Sequence, residues 1–323
     1  MRRAAARLGE RPPARRRRRP PARATPLVAP RLVAASAEAA CLLEAQAPKP
    51  GNVARGRDLP GLTWRDFVLS AAALEGAFHR NPRARVGRLV FEAVRATRGI
   101  VSTNTNLGIV LLLAPLARAA TRPGRGSLRV RLAGVLDDLD VADAHAAYRA
   151  IRLARPGGLG RVARQDVRRA PTESLLECMR LAAARDAVAR EYATRYDATW
   201  RVGLPAFRRA RAAGLPIDRA VVATGLALMA EFPDTLIVRR HGAAAARAVR
   251  REARAVLAAG GPATPRGRAL VERLDRWLRD PRRRFNPGAT ADLVTASLFV
   301  WLLERASRRR PATKRRDAGA RGT

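Results

Sequence analysis

The fold is decided by the stretch Leu107-Gly-Ile-Val-Leu-Leu-Leu-Ala-Pro-Leu-Ala-Arg-Ala119, thirteen residues that carry one charge. Leucine and alanine dominate it, and both have a high helix propensity. A helix that is apolar on every side is buried inside a protein, so this segment predicts the central helix of a core. The most apolar part, Leu107 to Ala117, is too short to span a bilayer and contains Pro115.

Helical patterns precede this segment. The first predicted helix begins near Pro30, since proline suits the first position of a helix, and it ends before Pro48. Thr63 and Asp66 have the spacing of a capping box, which predicts a second helix to about His79.

Helical patterns also fill the second half of the chain. Thr172 is predicted to cap the longest helix, which runs to about Asp197. No stretch alternates convincingly between apolar and polar side chains, as a half-buried strand would. The sequence therefore predicts an all-α fold, a single compact multi-helix domain of about ten helices over residues 30–305. Later helices are predicted at residues 199–213, 216–231, 242–259, 266–279 and 289–306.

The formal net charge of +37 is supplied almost wholly by arginine and is concentrated at the two ends. Residues 1–24 carry ten arginines against Glu10, and residues 305–323 carry seven arginines and Lys314 against Asp317. Basic segments without apolar periodicity are typically disordered. We therefore expect a disordered Arg/Pro-rich leader at 1–29 and a disordered basic tail at 306–323.

A basic chain suggests nucleic acid as a partner, but aromatic residues make up only 4% of this one and do not alternate with the basic residues. No base-stacking platform is predicted, so nucleic acid is not expected as the main partner. Cys41 and Cys178 lie among apolar residues on predicted helices and are expected to be buried, reduced thiols. No apolar signal region follows Arg19. These features favour a cytoplasmic protein without membrane spans.

The first candidate site is the turn Glu44-Ala-Gln-Ala-Pro-Lys-Pro-Gly-Asn-Val53. Lys49 is the only lysine in the predicted folded region of a chain that otherwise uses arginine, which suggests that a compact ammonium is needed there. Gly51 lets the backbone approach a ligand closely. The turn is interpreted as a phosphate or leaving-group contact; the alternative is an ordinary helix–loop junction with a surface lysine.

The second candidate is Ser102-Thr-Asn-Thr-Asn-Leu-Gly108, where four side-chain hydrogen-bonding residues precede the apolar helix. Free amides and the helix dipole make such an N-terminus favourable for an anion. The alternative is simple capping by Thr103 or Thr105.

The third candidate is Phe285-Asn-Pro-Gly-Ala-Thr-Ala-Asp292, which again opens an apolar helix. Asn286, Thr290 and Asp292 are suited to hold a ribose, a phosphate or a Mg²⁺ ion. The alternative is an N-cap followed by a favourable first-turn aspartate.

Weaker candidates lie elsewhere. Glu231 to Thr235 and Arg239 to Gly242 bracket a turn rich in charge, and a lone histidine such as His241 is more often structural than catalytic. Asp186 and Arg190 lie four residues apart, a spacing that also fits a simple ion pair. The sequence has no Walker loop, no dinucleotide-binding glycine motif, no zinc spacing and no nucleophile elbow.

Taken together, these turns resemble the triphosphoribosyl-dephospho-CoA synthase family, in the divergent branch found in archaea and methylotrophs. The resemblance covers roughly residues 31–305. Its motifs, in order, are Pro48-Lys-Pro-Gly51, Asn104-Thr-Asn106, Gln165-Asp-Val-Arg168, Phe232-Pro-Asp-Thr235, Asn286-Pro-Gly288 and Ala291-Asp-Leu293.

The resemblance implies an all-α enzyme that moves the 5-triphosphoribosyl group of ATP to 3′-dephospho-CoA and releases adenine. The product is the precursor of the prosthetic group of an acyl carrier subunit, so a downstream acyl carrier protein is an expected partner in the pathway. The chemistry requires a base, phosphate contacts and Mg²⁺. The resemblance implies Glu44 or Asp166 as the base, and Lys49 with Arg240 as phosphate contacts. The other implied substrate contacts are Asn52, Asn104, Thr105, Asn106, His241, Asn286, Gly288 and Thr290. The implied metal ligands are Asp186, Asp234 and Asp292.

The second turn departs from the family pattern. Citrate-lyase members usually carry Asn-Thr-His-Lys-Gly there, whereas this chain has Asn104-Thr-Asn-Leu-Gly108. The departure leaves the acceptor open, because a related phosphoribosyl-type transferase acting on a pterin or another cofactor precursor would fit the same donor chemistry.

Overall fold

The computed structural model describes residues 25–308, and these form thirteen α-helices with three isolated β-bridges and no sheet. The all-α prediction is confirmed. The predicted disorder at the chain ends concerns mainly residues 1–24 and 309–323, which lie outside the described residues. The helices are α1 Pro30–Gln46, α2 Trp64–Arg80, α3 Val86–Arg98, α4 Leu107–Thr121, α5 Leu128–Asp137, α6 Val141–Ala154, α7 Leu175–Ala182, α8 Ala187–Ala193, α9 Leu204–Ala212, α10 Ile217–Glu231, α11 Thr235–Ala258, α12 Pro265–Arg279 and α13 Gly288–Arg308. A π-helix spans Ala198–Gly203 and a 3₁₀ helix spans Gly261–Ala263.

Helix α4 is the central helix of the fold, as its sequence predicts. It packs against α1, α3, α5, α6, α8 and α13, and nearly all of its side chains are buried. Pro115 has no N–H and cannot donate to the carbonyl of Leu111, one turn earlier. The hydroxyl of Tyr192 donates to that carbonyl at 2.6 Å, and Tyr196 donates to the carbonyl of Leu112 at 2.8 Å. Two buried tyrosines thus satisfy the backbone acceptors around the proline.

The predicted helix over 172–197 is wrong. The chain forms α7 and α8 there, and Asp186 separates them because its side chain accepts from the amide of Ala189 as the N-cap of α8. After α8 the backbone takes positive φ at Arg195 and Tyr196, which stops a continuous helix. Ser174, and not Thr172, caps α7.

A second correction concerns α11, which begins at Thr235 and not at 242. Asp234 caps it by accepting from the amides of Leu236 and Ile237 at 2.9 and 3.0 Å. Gly242, with φ 83° and ψ 165°, interrupts the helical backbone at the predicted start. The interruption leaves a short first segment that carries Arg239 and Arg240.

The capping box of α2 is confirmed, since Thr63 and Asp66 each accept from the other's backbone amide. Cys41 and Cys178 are both buried and free, as expected. Helices α10, α11 and α12 enclose a smaller second core beside the main one. Among the described residues no single helix is long and apolar enough to cross a membrane, and one bent pair, α10 with α11, meets the length and composition required.

Candidate active site

The three turns singled out in the sequence meet around one cavity of about 350 Å³. The end of α1, the N-terminus of α4 and the N-terminus of α13 line it. The loop after α6, the start of α8 and the first segment of α11 line it as well. The predicted site residues that line the cavity are Glu44, Asn52, Asn104, Thr105, Asn106, Asp166, Asp186, Arg240, Asn286, Gly288 and Asp292.

The first and third turns are in direct contact. The amide of Asn52 donates from Nδ2 to Oδ1 of Asn286 at 2.9 Å. Gly51 has φ +77°, and a Cβ there would lie within 3.0 Å of Phe285, Pro287 and Leu278, so only glycine fits. Two chain segments more than 230 residues apart in sequence therefore share one wall of the cavity.

Helix α12 holds the first turn in place. Oδ1 of Asp275 accepts from the amide of Gly51 at 2.7 Å and from Nε of Arg279 at 2.8 Å. Arg279 also donates to the carbonyl of Asn52, and Arg57 pairs with Oδ2 of Asp275 at 3.1 Å. This network fixes the turn without using any of its cavity-facing side chains.

Most side chains of the second turn form hydrogen bonds with other residues of the protein. Asn106 is the N-cap residue of α4 and makes no capping hydrogen bond with its side chain. Oδ1 of Asn104 accepts from the amide of Leu107 at 3.2 Å, so this residue, and not Thr103 or Thr105, satisfies the first amide of the helix. The hydroxyl of Thr105 lies 2.6 Å from that of Ser70, and Asn106 donates to Thr97 at 3.1 Å.

Lys49 lies behind the cavity wall and not in it. Its Nζ is 2.9 Å from Oε1 of Glu44, and it also donates to the main-chain carbonyls of Glu44 and Ala47. The Lys49 side chain is only 1% exposed, and all three of its donors are engaged. The predicted direct phosphate contact therefore does not fit its position, which is that of a counter-ion for Glu44.

Asp292 presents a free carboxylate to the cavity at the N-terminus of α4. A Cβ at Gly108 would overlap this carboxylate, so the glycine is what allows α13 and α4 to approach there. Among residues 25–308 no group donates a hydrogen bond to Asp292. Burial, and then the negative charges of Glu44 and Asp186, raise the pKa of Asp292 well above its usual value.

Asp234 and Thr290 form a buried, hydrogen-bonded link between α11 and α13. Oδ2 of Asp234 accepts from the amide and the hydroxyl of Thr290 at 2.7 and 2.8 Å, while Oδ1 caps α11. Burial raises the pKa of Asp234. Neither residue lines the cavity, so the predicted metal-ligand role of Asp234 and substrate role of Thr290 do not fit their positions.

Asp166 lies in the loop after α6 and has both oxygens occupied. Its Oδ2 accepts from the amide of Val162 at 3.1 Å and its Oδ1 from the amide of Arg168 at 3.0 Å. These backbone hydrogen bonds lower the pKa of Asp166, which makes it a weaker base than an ordinary aspartate. Its position favours a role in shaping the loop.

Basic side chains also line the cavity. Arg240 is exposed there, beside Arg239, whose NH1 lies 2.7 Å from Oδ2 of Asp186. Arg185 also lines the cavity. His241 is exposed, packs edge-on against Phe285 at 4.9 Å and does not line the cavity, so its predicted substrate contact does not fit.

Comparison with known proteins places the chain in a family. Residues 30–311 match the family described as CitG: ATP:dephospho-CoA triphosphoribosyl transferase. The chain belongs to this family. The resemblance seen in the sequence is thereby confirmed, and the chain is a transferase of the triphosphoribosyl-dephospho-CoA synthase type.

Individual relatives carry the name of the same enzyme. A Pseudomonas fluorescens Pf-5 protein named probable 2-(5''-triphosphoribosyl)-3'-dephosphocoenzyme-A synthase is 30% identical over 231 residues, 70% of this chain and 68% of that protein. The Klebsiella pneumoniae 2-(5''-triphosphoribosyl)-3'-dephosphocoenzyme-A synthase is 37% identical over 100 residues, 31% of this chain and 35% of that protein. A crystal structure from Archaeoglobus fulgidus has the same fold, with a TM-score of 0.55, 24% identity, and coverage of 73% of this chain and 97% of that one.

A triphosphoribosyl transferase must handle a triphosphate, so the fit of a metal ion matters. Between residues 25 and 308 no group of three or more His, Cys, Asp or Glu side chains could hold a metal ion. Asp186 and Asp234 have both oxygens engaged by protein donors, and only Asp292 of the three predicted ligands has a free carboxylate. The residues do not fit a metal ion held by the protein alone. They are compatible with Mg²⁺ carried by the substrate's phosphates.

Two parts of the cavity were missed by sequence reasoning. The loop Pro156-Gly-Gly-Leu-Gly160 lines it, and none of its residues is among the predicted site residues. An apolar wall of Tyr148, Leu175 and Met179 from α6 and α7 lines it as well. The cluster of three glycines was a usable signal for the loop, whereas the apolar wall has the same pattern as any core-facing side of a helix.

Proposed function

We propose that the protein transfers the 5-triphosphoribosyl group of ATP to the 2′-hydroxyl of 3′-dephospho-CoA and releases adenine. The observation that supports this most strongly is the meeting of the three family turns around one cavity that is lined by both carboxylates and arginines. The cavity volume of about 350 Å³ lies in the range of small-molecule sites.

The reaction exchanges one bond at C1 of the ATP ribose for another. The bond from C1 to the adenine nitrogen breaks, and the bond from C1 to the acceptor oxygen forms. The acceptor hydroxyl loses its proton to a base, and the departing adenine gains a proton. Positive charge accumulates on the ribose in the transition state, as in glycoside hydrolysis, so fixed negative charge nearby lowers the barrier.

Glu44 is suited to supply that fixed charge. It lines the cavity, yet its side chain is only 3% exposed, and its Oε1 lies 2.9 Å from Nζ of Lys49. The ion pair holds a carboxylate at a fixed place in the cavity wall. Glu44 is therefore assigned to stabilise the ribose cation.

Asp292 is assigned as the base. It accepts no hydrogen bond from the described residues, and its raised pKa gives it a higher proton affinity than Asp166, whose pKa is lowered. A base with a higher pKa takes the proton of the acceptor hydroxyl more readily when it is ionised. This choice replaces the pair of alternatives, Glu44 or Asp166, that the sequence left open.

The other polar residues orient the substrates. Asn52, Asn286 and Asn104 face the cavity from three different turns, and asparagine amides both donate to and accept from ribose hydroxyls. Mg²⁺ is proposed to enter with the triphosphate of ATP, where it would neutralise part of the phosphate charge. A cytoplasmic location and a downstream acyl carrier protein remain predictions.

The acceptor is the finer part of the proposal. Leu107, which stands where citrate-lyase members carry lysine, lines the cavity and is only 8% exposed. An apolar side chain in place of a cation changes the part of the site beside Asp292, and this observation favours the alternative of another cofactor precursor, such as a pterin, as acceptor.

One incubation tests the proposed donor and the proposed acceptor together. Purified protein with ATP, Mg²⁺ and dephospho-CoA is expected to yield adenine and the triphosphoribosylated product by mass spectrometry. Adenine without that product would retain the donor and exclude the acceptor, after which pterin precursors would be tested. No adenine under any of these conditions would contradict the proposed function.

A further inference from the structure

Three arginines and a glycine loop form one continuous basic wall of the cavity. Arg185, Arg239 and Arg240, here called the arginine wall, come from the segment before α8 and from the first segment of α11. Asp186 is the only acidic side chain paired with any of them in the described part of the chain. The wall therefore keeps a net positive charge.

All three of these arginines have guanidinium donors without acceptors among the described residues. The side chain of Arg240 makes no hydrogen bond or ion pair with any described residue, and the guanidinium of Arg185 donates only to the carbonyl of Leu181, at 2.9 Å. The Nε of Arg239 is buried and has no acceptor within residues 25–308. Burying a guanidinium N–H without an acceptor costs about 1–3 kcal/mol, so the unbound wall favours an anion with several oxygens.

Asp186 holds Arg239 in position and does not neutralise the wall. Its Oδ1 accepts from the amide of Ala189 and its Oδ2 pairs with NH1 of Arg239 at 2.7 Å. Both carboxylate oxygens of Asp186 are therefore engaged, and the pair fixes the NH1 edge of the Arg239 guanidinium.

The glycine loop passes directly over these side chains. A Cβ at Gly157 would lie 3.3 Å from NH2 of Arg240, and one at Gly158 would lie 3.7 Å from Cβ of Arg239. Gly158 and Gly160 have φ of +79° and +65°. The amides of Gly157, Gly158 and Gly160 donate to no acceptor among the described residues. Free amides beside guanidinium groups are the combination that binds phosphate oxygens.

We infer that the arginine wall and residues 156–160 form the subsite for the triphosphate of the donor nucleotide. The subsite lines the same cavity as the carboxylates Glu44 and Asp292, so one nucleotide can place its triphosphate on the arginines and its ribose beside the carboxylates. The anion subsite stands on the geometry alone, whereas its assignment to the donor rests on the proposed function. Lys49, the phosphate contact expected from the sequence, has no part in it.

The pyrophosphate of dephospho-CoA is the competing occupant, and kinetics separate the two. Arg240→Ala and Arg185→Ala are each expected to raise the KM for ATP about 10- to 100-fold, the value of one charge-assisted hydrogen bond, and to leave the KM for dephospho-CoA unchanged. Arg247→Ala removes one charge from an exposed position on α11 outside the cavity and is the matched control. A rise in the KM for dephospho-CoA alone, or no change in either KM, would overturn the assignment.

Binding without turnover separates this inference from the proposed function. Calorimetry with inorganic tripolyphosphate is expected to show binding to the full chain and to the Arg247→Ala variant, weakened about 10- to 100-fold in Arg240→Ala. The wild type is expected to bind ATP more tightly than ADP, and ADP more tightly than AMP, with the differences reduced in the variant. Equal tripolyphosphate affinity in Arg240→Ala and wild type would refute the subsite even if adenine is released, and weakened binding would support it even if no adenine is released.

Discussion

Nζ of Lys49 lies 2.9 Å from Oε1 of Glu44, and the two side chains are 1% and 3% exposed. Glu44 faces the cavity while Lys49 stands behind it, so the cation acts on the site through the carboxylate. A buried carboxylate that kept its charge without a partner would be costly. The one lysine in the helical domain thus pairs with a carboxylate of the site, and its three donors are already engaged.

Replacement of Lys49 by methionine is expected to lower the free energy of unfolding by about 3–5 kcal/mol, because Glu44 is left as an uncompensated buried charge. The double variant Lys49→Met with Glu44→Gln should recover much of this loss while staying inactive, since the negative charge is gone. Urea unfolding of the four proteins of the cycle measures the coupling. An equal loss of unfolding free energy in Lys49→Met and in the double variant would show that Lys49 and Glu44 are not coupled.

Gly108→Ala is expected to lower kcat at least about 100-fold, because a Cβ at this position overlaps the carboxylate of Asp292 and displaces the base. Gly134→Ala in the interior of α5 is the control, since nothing lies within 4 Å of a Cβ there. The control should gain roughly 0.5–1 kcal/mol of stability with unchanged kcat. Steady-state kinetics and thermal unfolding of both variants check this, and an unaffected kcat in Gly108→Ala would remove Asp292 from the mechanism.

The sequence predicted the fold well where local pattern and packing agree. The apolar run of α4 and the capping box of Thr63 and Asp66 were sufficient to place their helices. The prediction of one helix over 172–197 failed because Asp186 works as an N-cap for a new helix, and a capping aspartate and a surface aspartate look alike in sequence.

The site was predictable as a set of turns but not as a set of roles. The unusual lysine at position 49 correctly drew attention to its turn, yet the direction of its side chain depends on acceptors that only the fold brings close. The proximity of Gly157 to Arg240 joins segments 83 residues apart and leaves no local signal. Free and occupied carboxylates, such as Asp292 and Asp234, also have the same appearance in sequence.

Asp292 should set an acidic limb in the pH dependence of kcat/KM. The ionised form is the base, so activity is lost as the pH falls through its pKa, and the raised pKa of Asp292 moves this limb above the usual aspartate range near 4. Asp292→Asn is expected to abolish the limb together with most of the activity. A pH–rate profile from 4 to 9 measures it; a limb at the same pH in residual Asp292→Asn activity would assign the limb to another group.

The same raised pKa predicts a gain of stability on removing the charge. A folded-state pKa above the unfolded one stabilises the fold below the unfolded pKa, and this contribution is lost as the pH rises through the folded pKa. At neutral pH, Asp292→Asn should therefore unfold at a higher urea concentration than the wild type, and the difference should vanish at low pH. A variant less stable than wild type at neutral pH would show that the Asp292 charge has a stabilising partner.

Asp234→Asn is expected to lower the stability by about 2 kcal/mol or more without changing the dependence on Mg²⁺. Asp234 accepts from the amides of Leu236 and Ile237 and from Thr290. The NH₂ group of asparagine cannot accept a hydrogen bond, so the variant leaves donors without an acceptor at the junction of α11 and α13. Thr290→Val removes only the hydroxyl bond and should cost about 1 kcal/mol. Titrating activity with Mg²⁺ at a temperature where all three proteins are folded separates the roles. If Asp234 only links the two helices, the half-saturating Mg²⁺ concentration of both variants stays at the wild-type value. If Asp234 is a metal ligand, this concentration rises severalfold in Asp234→Asn and stays unchanged in Thr290→Val.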